Sequence, residues 1–561
     1  MGNPKLLVLI LIIISLCLRF YKLDQVPASL YYDEIDYGLQ ARSLIETGKD
    51  YRGEFSPFYV HSFNDIRAPI PAYFTTVSTL IFTSPELQVR GANALLGSLV
   101  VVLIFYLIKF MMGKNSLAFL AGLIFTTNPW QIQFSRFNHE VMSMAALYLL
   151  ALLIFYRWLK FKNFLLILLS VIIFSLTVYT YRTMSFYIPL TLVMLFLIYR
   201  QEILKLGFKK IFPLIVLIGL IVGPFLYVTT LGAPDLPRIN QLIIASDPRV
   251  PIWVTRNREV DSGDYDDKTI GKQAITSSYF FHNKVFSWLD AFANNFAHSF
   301  STDFLIIRGD PNLRHSIGKM GPILFIDFIA FVAGVFWLLK NIKLKHNLFL
   351  FAWLLTSPIP ASLTMDGAGH SGRLFIFSAP LLLTISLGWW YIINFFKNTF
   401  KGKLLLIVVA SLWLLLLIFY FHKYFIHYPI ESARNFGFGF KEAVGKILEE
   451  ESKYDKVIMG PGNDPPMIYF LYWSKMSSKV IHEYGTLFSP DIIKNQPLDK
   501  FKVAHWSITE ELEKETLYLL STKELSLDLR NPENIPKNMK LIEIIKYPDN
   551  EVAFYIVSKK D

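Results

Sequence analysis

Long apolar runs separated by short polar segments dominate the first 430 residues of the chain. A membrane-spanning helix needs about 20 mostly apolar residues, and about eleven runs approach that length. We therefore predict a polytopic α-helical membrane protein. The predicted spans are 5–21, 92–112, 116–130, 141–157, 164–180, 185–199, 211–230, 320–339, 347–360, 375–395 and 404–421.

Lys and Arg concentrate in four short loops between these runs. Basic loops mark the cytoplasmic side of a membrane, and all four share one side if the N-terminus is also cytoplasmic. The segments then predicted to face outward are 22–91, 131–140, 181–184, 231–319, 361–374 and the tail from about 422. The basic residues are Arg157, Lys160, Lys162, Arg200, Lys205, Lys209, Lys210, Lys340, Lys343, Lys345, Lys397, Lys401 and Lys403.

The pattern changes at two places. Residues 69–82 are apolar but short and begin with Pro-x-Pro, which favours an interfacial helix on the outer surface over a span. After about residue 430 the long apolar runs stop, so we divide the chain into a transmembrane domain, 1–430, and a small extracytoplasmic α/β domain, 431–561. In this tail the pattern predicts helices over 438–452 and 507–515 and strands over 456–460, 517–520, 541–547 and 552–558.

Composition narrows the class of protein. The chain has 561 residues, of which 53% are hydrophobic and 18% charged, whereas soluble domains have about 25% charged residues. The net charge of +11 lies mostly in the short loops, so it indicates orientation and lipid contact rather than nucleic-acid binding. Cys17 is the single cysteine, which excludes an intramolecular disulfide and a cysteine metal site.

The outward-facing segments carry the candidate chemistry. Asp33, Glu34 and Asp36 follow the first span directly and must lie in water or a polar cavity, because burying carboxylates in hydrocarbon is costly. A carboxylate can take a proton from a hydroxyl, and Arg can hold a departing phosphate with two parallel hydrogen bonds. Arg67 follows in the same first outer loop. The later outward segments carry Arg136, His139, Glu140, Arg182, Arg314, His315, His370 and Arg373.

Four segments carry a resemblance to a known family. Residues 32–48, Tyr-Asp-Glu through Thr-Gly, resemble the Asp-Glu motif in the first outer loop of GT-C glycosyltransferases of the protein O-mannosyltransferase and lipid A aminoarabinose transferase superfamily. Residues 67–74 are similar to its basic-Pro-Pro-aromatic segment, and 85–91 to the Arg-containing start of the next span. Residues 128–136 resemble its second outer loop. The resemblance is good over residues 1–190 and looser to about 430.

The resemblance implies a GT-C fold, a polyprenyl-phosphate sugar donor and inversion at the sugar carbon. It implies that Asp33 is the base, and we expect Glu34 to orient Asp33 or raise its pKa by like-charge proximity. Arg67 stands where the aminoarabinose transferases have Lys, and Glu140 stands where many relatives have Asp. The expected phosphate ligands are Arg67, Arg136, Arg182, Arg314 and Arg373, and the expected substrate contacts are Asp36, Tyr37, His139, Glu140, His315 and His370.

The resulting expectation is an inverting hexosyl- or pentosyltransferase of the plasma membrane. It would contact membrane lipids and transfer a sugar to a hydroxyl of a protein, glycolipid or glycan. The sequence gives no reason to require a cofactor. A divalent cation held by Asp33, Glu34 and a His is left open. The alternatives are a transporter or flippase for a lipid-linked substrate, a transferase using a diphosphate-linked oligosaccharide, and an inactive scaffold.

Overall fold

The computed structural model describes residues 3–62, 65–230, 243–261, 276–460, 464–483, 500–504, 506 and 510–560. Its α-helices are Pro4–Phe20, Tyr32–Thr47, Ile70–Ile81, Pro85–Met112, Asn115–Thr127, Pro129–Ser135, Glu140–Phe161, Phe164–Leu176, Met184–Leu204, Phe208–Thr230, Arg249–Asp261, Thr276–Phe281, Lys284–Ser299, Phe325–Lys340, Lys345–Thr356, Ile359–Ser362, Phe375–Phe396, Phe400–His422, Tyr428–Glu431, Phe440–Glu450, Pro466–Trp473, Ser478–Glu483 and Thr522–Leu525. Its strands are β1 Val60–Ser62, β2 Asp65–Arg67, β3 Lys456–Met459, β4 Phe501–Val503, β5 Thr516–Ser521, β6 Met539–Lys546 and β7 Val552–Lys559.

A polytopic helical membrane architecture is confirmed, and a helix covers the core of each of the eleven predicted runs. Within the described residues, six helices are long and apolar enough to cross a membrane by length and composition. The other five predicted spans correspond to shorter helices of 12 to 17 residues. At 1.5 Å per residue these are shorter than a hydrocarbon core of about 30 Å. The five shorter helices are Pro4–Phe20, Asn115–Thr127, Phe164–Leu176, Phe325–Lys340 and Lys345–Thr356.

Two of the four basic loops contact each other. Lys345 Nζ lies 2.9 Å from Glu202 Oε1, which joins two of the basic loops. Lys114 Nζ lies 4.0 Å from the ring centroid of Trp390, near the end of another basic segment. This contact agrees with the charge pattern, and the assignment of the basic loops to the cytoplasm stays a prediction.

The C-terminal region forms a five-stranded mixed sheet. Its strand order is β4-β3-β5-β7-β6, with β3 parallel to β4 and β5, and β7 antiparallel to β5 and β6. The β6–β7 hairpin confirms the two predicted strands around the turn at 548–550. The helix predicted over 507–515 is wrong for residues 510–515, which form no helix. There the backbone N–H of Glu513 donates to the Tyr518 hydroxyl at 2.9 Å; residues 507–509 lie outside the described residues.

The sheet region packs directly against the first outer loop. Ile35 and Leu39 of the helix Tyr32–Thr47 share an apolar core with the C-terminal helices and strands. The approach is close at Gly38, where a Cβ would lie 2.5 Å from Tyr472 Cε2. Tyr472 also donates its hydroxyl to the Pro85 carbonyl at 3.1 Å. The C-terminal region therefore forms one side of the surroundings of the Asp-Glu segment.

Candidate active site

Asp33 and Glu34 are neighbours in sequence, but their side chains have different partners. Consecutive helix residues point about 100° apart, and the helix begins at Tyr32. Asp33 forms an ion pair with Arg67. Glu34 is fully buried and pairs with Arg90, whose Nε lies 2.9 Å from Oε1 and whose Nη2 lies 3.1 Å from Oε2.

The carboxylate of Glu34 has two further donors. The backbone N–H of Asn138 donates to Oε1 at 3.0 Å and that of Tyr31 donates to Oε2 at 3.3 Å. The hydrogen bonds of the Glu34 carboxylate thus go to Arg90 and to these two backbone N–H groups rather than to Asp33, and its expected role in catalysis stays a prediction. Glu34 links the helix Tyr32–Thr47 to Asn138 and to the start of the helix Pro85–Met112.

Three carboxylates lie close to the guanidinium of Arg67. Besides its pair with Asp33, its Nε lies 3.5 Å from Asp36 Oδ2 and its Nη1 lies 3.8 Å from Glu140 Oε1. The guanidinium also lies over the Tyr37 ring, 5.5 Å from the centroid, and the Tyr37 hydroxyl donates to Glu140 at 2.8 Å. We call Asp33, Asp36, Arg67 and Glu140 the carboxylate cluster.

The members of the carboxylate cluster differ in exposure. The side chains of Asp33 and Glu140 are 26% and 20% exposed, whereas Asp36 is buried. Burial raises the pKa of Asp36 to about 6, against the opposing effect of Arg67. Asp33 and Glu140 are thus the two carboxylates of the cluster that an incoming molecule can reach.

Arg136 does not take the predicted phosphate-binding role. Its side chain is fully buried, and its guanidinium donates to backbone carbonyls at the end of the first helix and in the segment after it, and lies over the rings of Tyr424 and Phe425. With five carbonyls satisfying a buried cation, it holds that segment in place. The acceptors are Leu18, Arg19, Tyr21, Lys22 and Val26, at 2.8 to 3.3 Å. We call Glu34, Arg90, Arg136 and Asn138 the anchor layer.

The other three predicted arginines lie in partly open positions. Arg182 Nη2 donates to the Ile66 carbonyl at 2.9 Å, next to Arg67 in the chain. Arg314 lies over the rings of Tyr31 and Tyr32, 5.1 and 5.4 Å from their centroids.

Arg373 is the third of these arginines. It pairs with Asp366, whose side chain is 58% exposed. Arg182, Arg314 and Arg373 are therefore cations that a phosphate can approach more easily than it can approach Arg136.

Three histidines predicted as substrate contacts stand together. The His139 and His315 ring centroids are 5.9 Å apart, and those of His315 and His370 are 4.9 Å apart. Burial, together with the neighbouring histidines, holds the pKa of His139 well below its usual value and lowers that of His370 to about 4. Both imidazoles are therefore neutral at physiological pH.

Sequence reasoning missed the partners of these residues. Arg90 was visible as a lone cation at the start of an apolar helix, and such a charge requires a buried partner. Asp310, which accepts from His315 Nδ1 at 3.0 Å, precedes that His by five positions in one loop. Asp464 of the C-terminal region had no sequence signal; burial raises its pKa, and Arg314 and Asp33 are among its charged neighbours.

Comparisons with known proteins bear on the fold of the chain. Residues 66–227 match the family model described as dolichyl-phosphate-mannose-protein mannosyltransferase. The structure of ArnT from Cupriavidus metallidurans bound to undecaprenyl phosphate is similar, with a TM-score of 0.53 and 11% identity, covering 99% of this chain and 97% of that one. This chain has the GT-C fold. The resemblance to GT-C glycosyltransferases seen in the sequence is thereby confirmed.

A second structure with the GT-C fold is longer. The Archaeoglobus fulgidus oligosaccharyltransferase, tethered with an acceptor peptide, has a TM-score of 0.50 and 13% identity. The match covers 84% of this chain and 63% of that one, so this chain spans somewhat less than two thirds of that protein. No curated protein matches the chain.

Proposed function

We propose that the chain is an inverting glycosyltransferase that moves a sugar from a polyprenyl-phosphate donor to an acceptor hydroxyl at the outer membrane surface. The observation that carries the proposal is the carboxylate cluster, in which Arg67 joins Asp33 of the first outer loop to Glu140 of the second. The family description names a dolichyl-phosphate sugar, and the similar ArnT structure contains undecaprenyl phosphate. Both support a lipid-linked phosphate donor.

The proposed orientation explains why the donor is a lipid. We place the N-terminus and the basic loops in the cytoplasm, and the site at the outer side of the plasma membrane. Nucleotide sugars are too polar to cross a bilayer, so an outward site needs a donor carried by lipid. Single cysteines introduced at Lys343 and Asp290 in a Cys17→Ser background test this: an impermeant thiol reagent on intact cells should label only the second.

Asp33 acts as the base in the proposed reaction. Its carboxylate takes the proton of the acceptor hydroxyl while that oxygen forms a bond to the anomeric carbon. The bond from that carbon to the phosphate oxygen breaks on the opposite face, and the lipid phosphate leaves with the electron pair. Arg67 holds the Asp33 side chain in position, since a salt bridge fixes the carboxylate without removing its exposed edge.

The leaving phosphate needs cations that are easier to reach than Arg67. Three carboxylates surround Arg67, so a phosphate there would compete with three anions. Arg314, over two tyrosine rings, and Arg182 and Arg373 are better placed to stabilise the developing charge. These arginines would contact the phosphate and not the sugar, so they do not determine whether a hexose or a pentose is transferred.

Transfer from defined donors tests the proposal. Purified wild type, Asp33→Asn and a control, Asp290→Asn, are incubated with radiolabelled polyprenyl-phosphate sugars and membrane extract. Asp290 is exposed on the helix Lys284–Ser299. We expect label in a product with wild type and control and at least about 10²-fold less with Asp33→Asn. Movement of labelled donor across vesicles without any product would indicate the flippase alternative and contradict the proposal.

A diphosphate-linked oligosaccharide is the second candidate donor. The similar fold of the archaeal oligosaccharyltransferase favours including it. The same assay with diphosphate donors, with and without chelator, separates the two. Transfer from a diphosphate donor only, abolished by chelator, would replace the monophosphate proposal.

A further inference from the structure

Asp310, His315 and His370 come from two outer loops that meet beside the carboxylate cluster. Within the described residues, these three side chains each offer one ligand atom, and the three atoms lie within 4.8 Å of one another. We propose that they bind one divalent transition-metal ion of the zinc type. Two imidazoles and one carboxylate form a donor set that zinc prefers, whereas magnesium and calcium prefer oxygen ligands.

The imidazole of His315 is oriented for metal binding. Its Nδ1 lies 3.0 Å from Asp310 Oδ2, a separation that suits two ligand atoms of one ion, so an ion bound by both would take the place of the hydrogen between them and the ring proton would stand on Nε2. Asp310 is itself fixed, because the backbone N–H groups of Ser371 and Asn312 donate to its carboxylate at 2.8 and 2.9 Å. The carboxylate is therefore held between the two loops before any ion binds.

An adjoining cavity provides independent support. It measures about 20 Å³ and is lined by Asp310, His315, Gln133 and Trp130 among others. This volume is enough for one water molecule. Among the described residues, Gln133 Oε1 and Trp130 Nε1, whose side chains line the cavity, are buried and have no hydrogen-bond partner. A metal-bound water in the cavity would satisfy both atoms.

Binding requires only a small contraction of the site. Zn–N bonds of about 2.0–2.1 Å bring ligand atoms closer than 4.8 Å, so the two loops draw together by about an ångström. Arg314 precedes His315 directly, and Arg373 follows His370 by three positions. The ion would therefore fix the two loops that present both arginines; this consequence rests on the proposed function, but metal binding itself does not.

Metal content tests the site without any activity assay. The full-length protein in detergent is stripped with chelator, exchanged into buffered micromolar Zn²⁺ and analysed for metal and for thermal unfolding. We expect about one Zn²⁺ per wild-type chain, a higher unfolding temperature with Zn²⁺, and loss of both in His315→Ala and His370→Ala. The matched control is His282→Ala, on another outer segment beside Asp261, which should behave like wild type.

Three results would overturn the proposal. The first is that wild type does not bind stoichiometric Zn²⁺. The second is that His315→Ala and His370→Ala still bind it, and the third is that His282→Ala loses as much Zn²⁺ as they do. If the Ala variants do not fold, His370→Gln and Co²⁺ loading of wild type replace them, and absence of the visible absorption of a nitrogen-ligated Co²⁺ site would count against the proposal. Transfer activity without Zn²⁺ binding would contradict the metal site and support the glycosyltransferase proposal. Zn²⁺ binding without transfer would support the metal site and contradict the glycosyltransferase proposal.

Discussion

The anchor layer and the carboxylate cluster use the same residue types in neighbouring positions for different purposes. In the anchor layer, Glu34 and Arg136 are fully buried and their charges are satisfied by protein groups alone. In the carboxylate cluster, Asp33 and Glu140 stay partly exposed around one cation. A buried charged side chain whose hydrogen bonds are all to protein groups stabilises the fold. A partly exposed charged side chain can also contact a substrate.

Breaking the anchor layer should give the largest effect. Arg136→Ala removes a cation that five carbonyls accept from. Loss of one partner in a buried charged network costs about 3–5 kcal/mol, so we expect poor expression and a much lower unfolding temperature in detergent. Arg157→Ala, exposed near a basic loop, is the control. Normal stability of Arg136→Ala would contradict the anchoring role.

The buried member of the carboxylate cluster should make stability depend on pH. The folded-state pKa of Asp36 is raised to about 6, so its contribution to stability is present below the unfolded pKa of about 3.9 and is lost as pH rises through about 6. Relative to wild type, Asp36→Asn, which cannot ionise at this position, should therefore gain about 1.4 kcal/mol in free energy of unfolding between pH 5 and pH 8, about half of the full effect of about 3 kcal/mol between pH 3 and pH 8. Thermal unfolding from pH 5 to 8 measures this, and a constant difference would contradict the burial argument.

Some features of the structure can be predicted from the sequence, and others cannot. Hydropathy predicted the positions of the helical runs, because the length of an apolar run, about 20 residues, is set by the thickness of the hydrocarbon core of the bilayer. The turn at 548–550 located the β6–β7 hairpin. The different partners of Asp33 and Glu34 depend on where the helix begins, and Tyr31 is the residue that caps it. Boundaries of this kind shift by one or two residues with local packing.

Contacts between distant segments were also beyond the sequence pattern. Arg136 looked like an outer-loop cation, but its partners are backbone carbonyls more than 100 positions earlier. Asp464 reaches the surroundings of Arg314 only because the C-terminal region packs on the first outer loop. Single-sequence patterns contain no signal for such pairings, since they arise from tertiary packing.

Removing the second exposed carboxylate should affect activity more than stability. Glu140→Gln keeps an oxygen that accepts from the Tyr37 hydroxyl but removes the charge beside Arg67. We expect a fall in kcat of about 10²-fold with little change in the unfolding temperature. Glu442→Gln, exposed on the helix Phe440–Glu450, should keep full activity. Wild-type kcat in Glu140→Gln would restrict the reactive pair to Asp33 and Arg67.

The smallest of these effects is expected at the open arginine. Arg314→Ala removes a cation that lies over two tyrosine rings, and we expect about a tenfold higher KM for the lipid donor, equal to about 1.4 kcal/mol. Arg308→Ala, in the same loop and 78% exposed, is the control. An unchanged KM would remove Arg314 from the phosphate-binding set.

A side-by-side comparison of Asp33→Asn and Glu34→Gln tests the central claim most directly. Transfer rate and unfolding temperature are measured for both variants in the same detergent. We predict that Asp33→Asn unfolds like wild type and loses about 10²–10⁴-fold in rate, whereas Glu34→Gln leaves Arg90 buried without its counter-ion and unfolds at a much lower temperature. An active Asp33→Asn, or a Glu34→Gln that is inactive at wild-type stability, would contradict the division between the two regions.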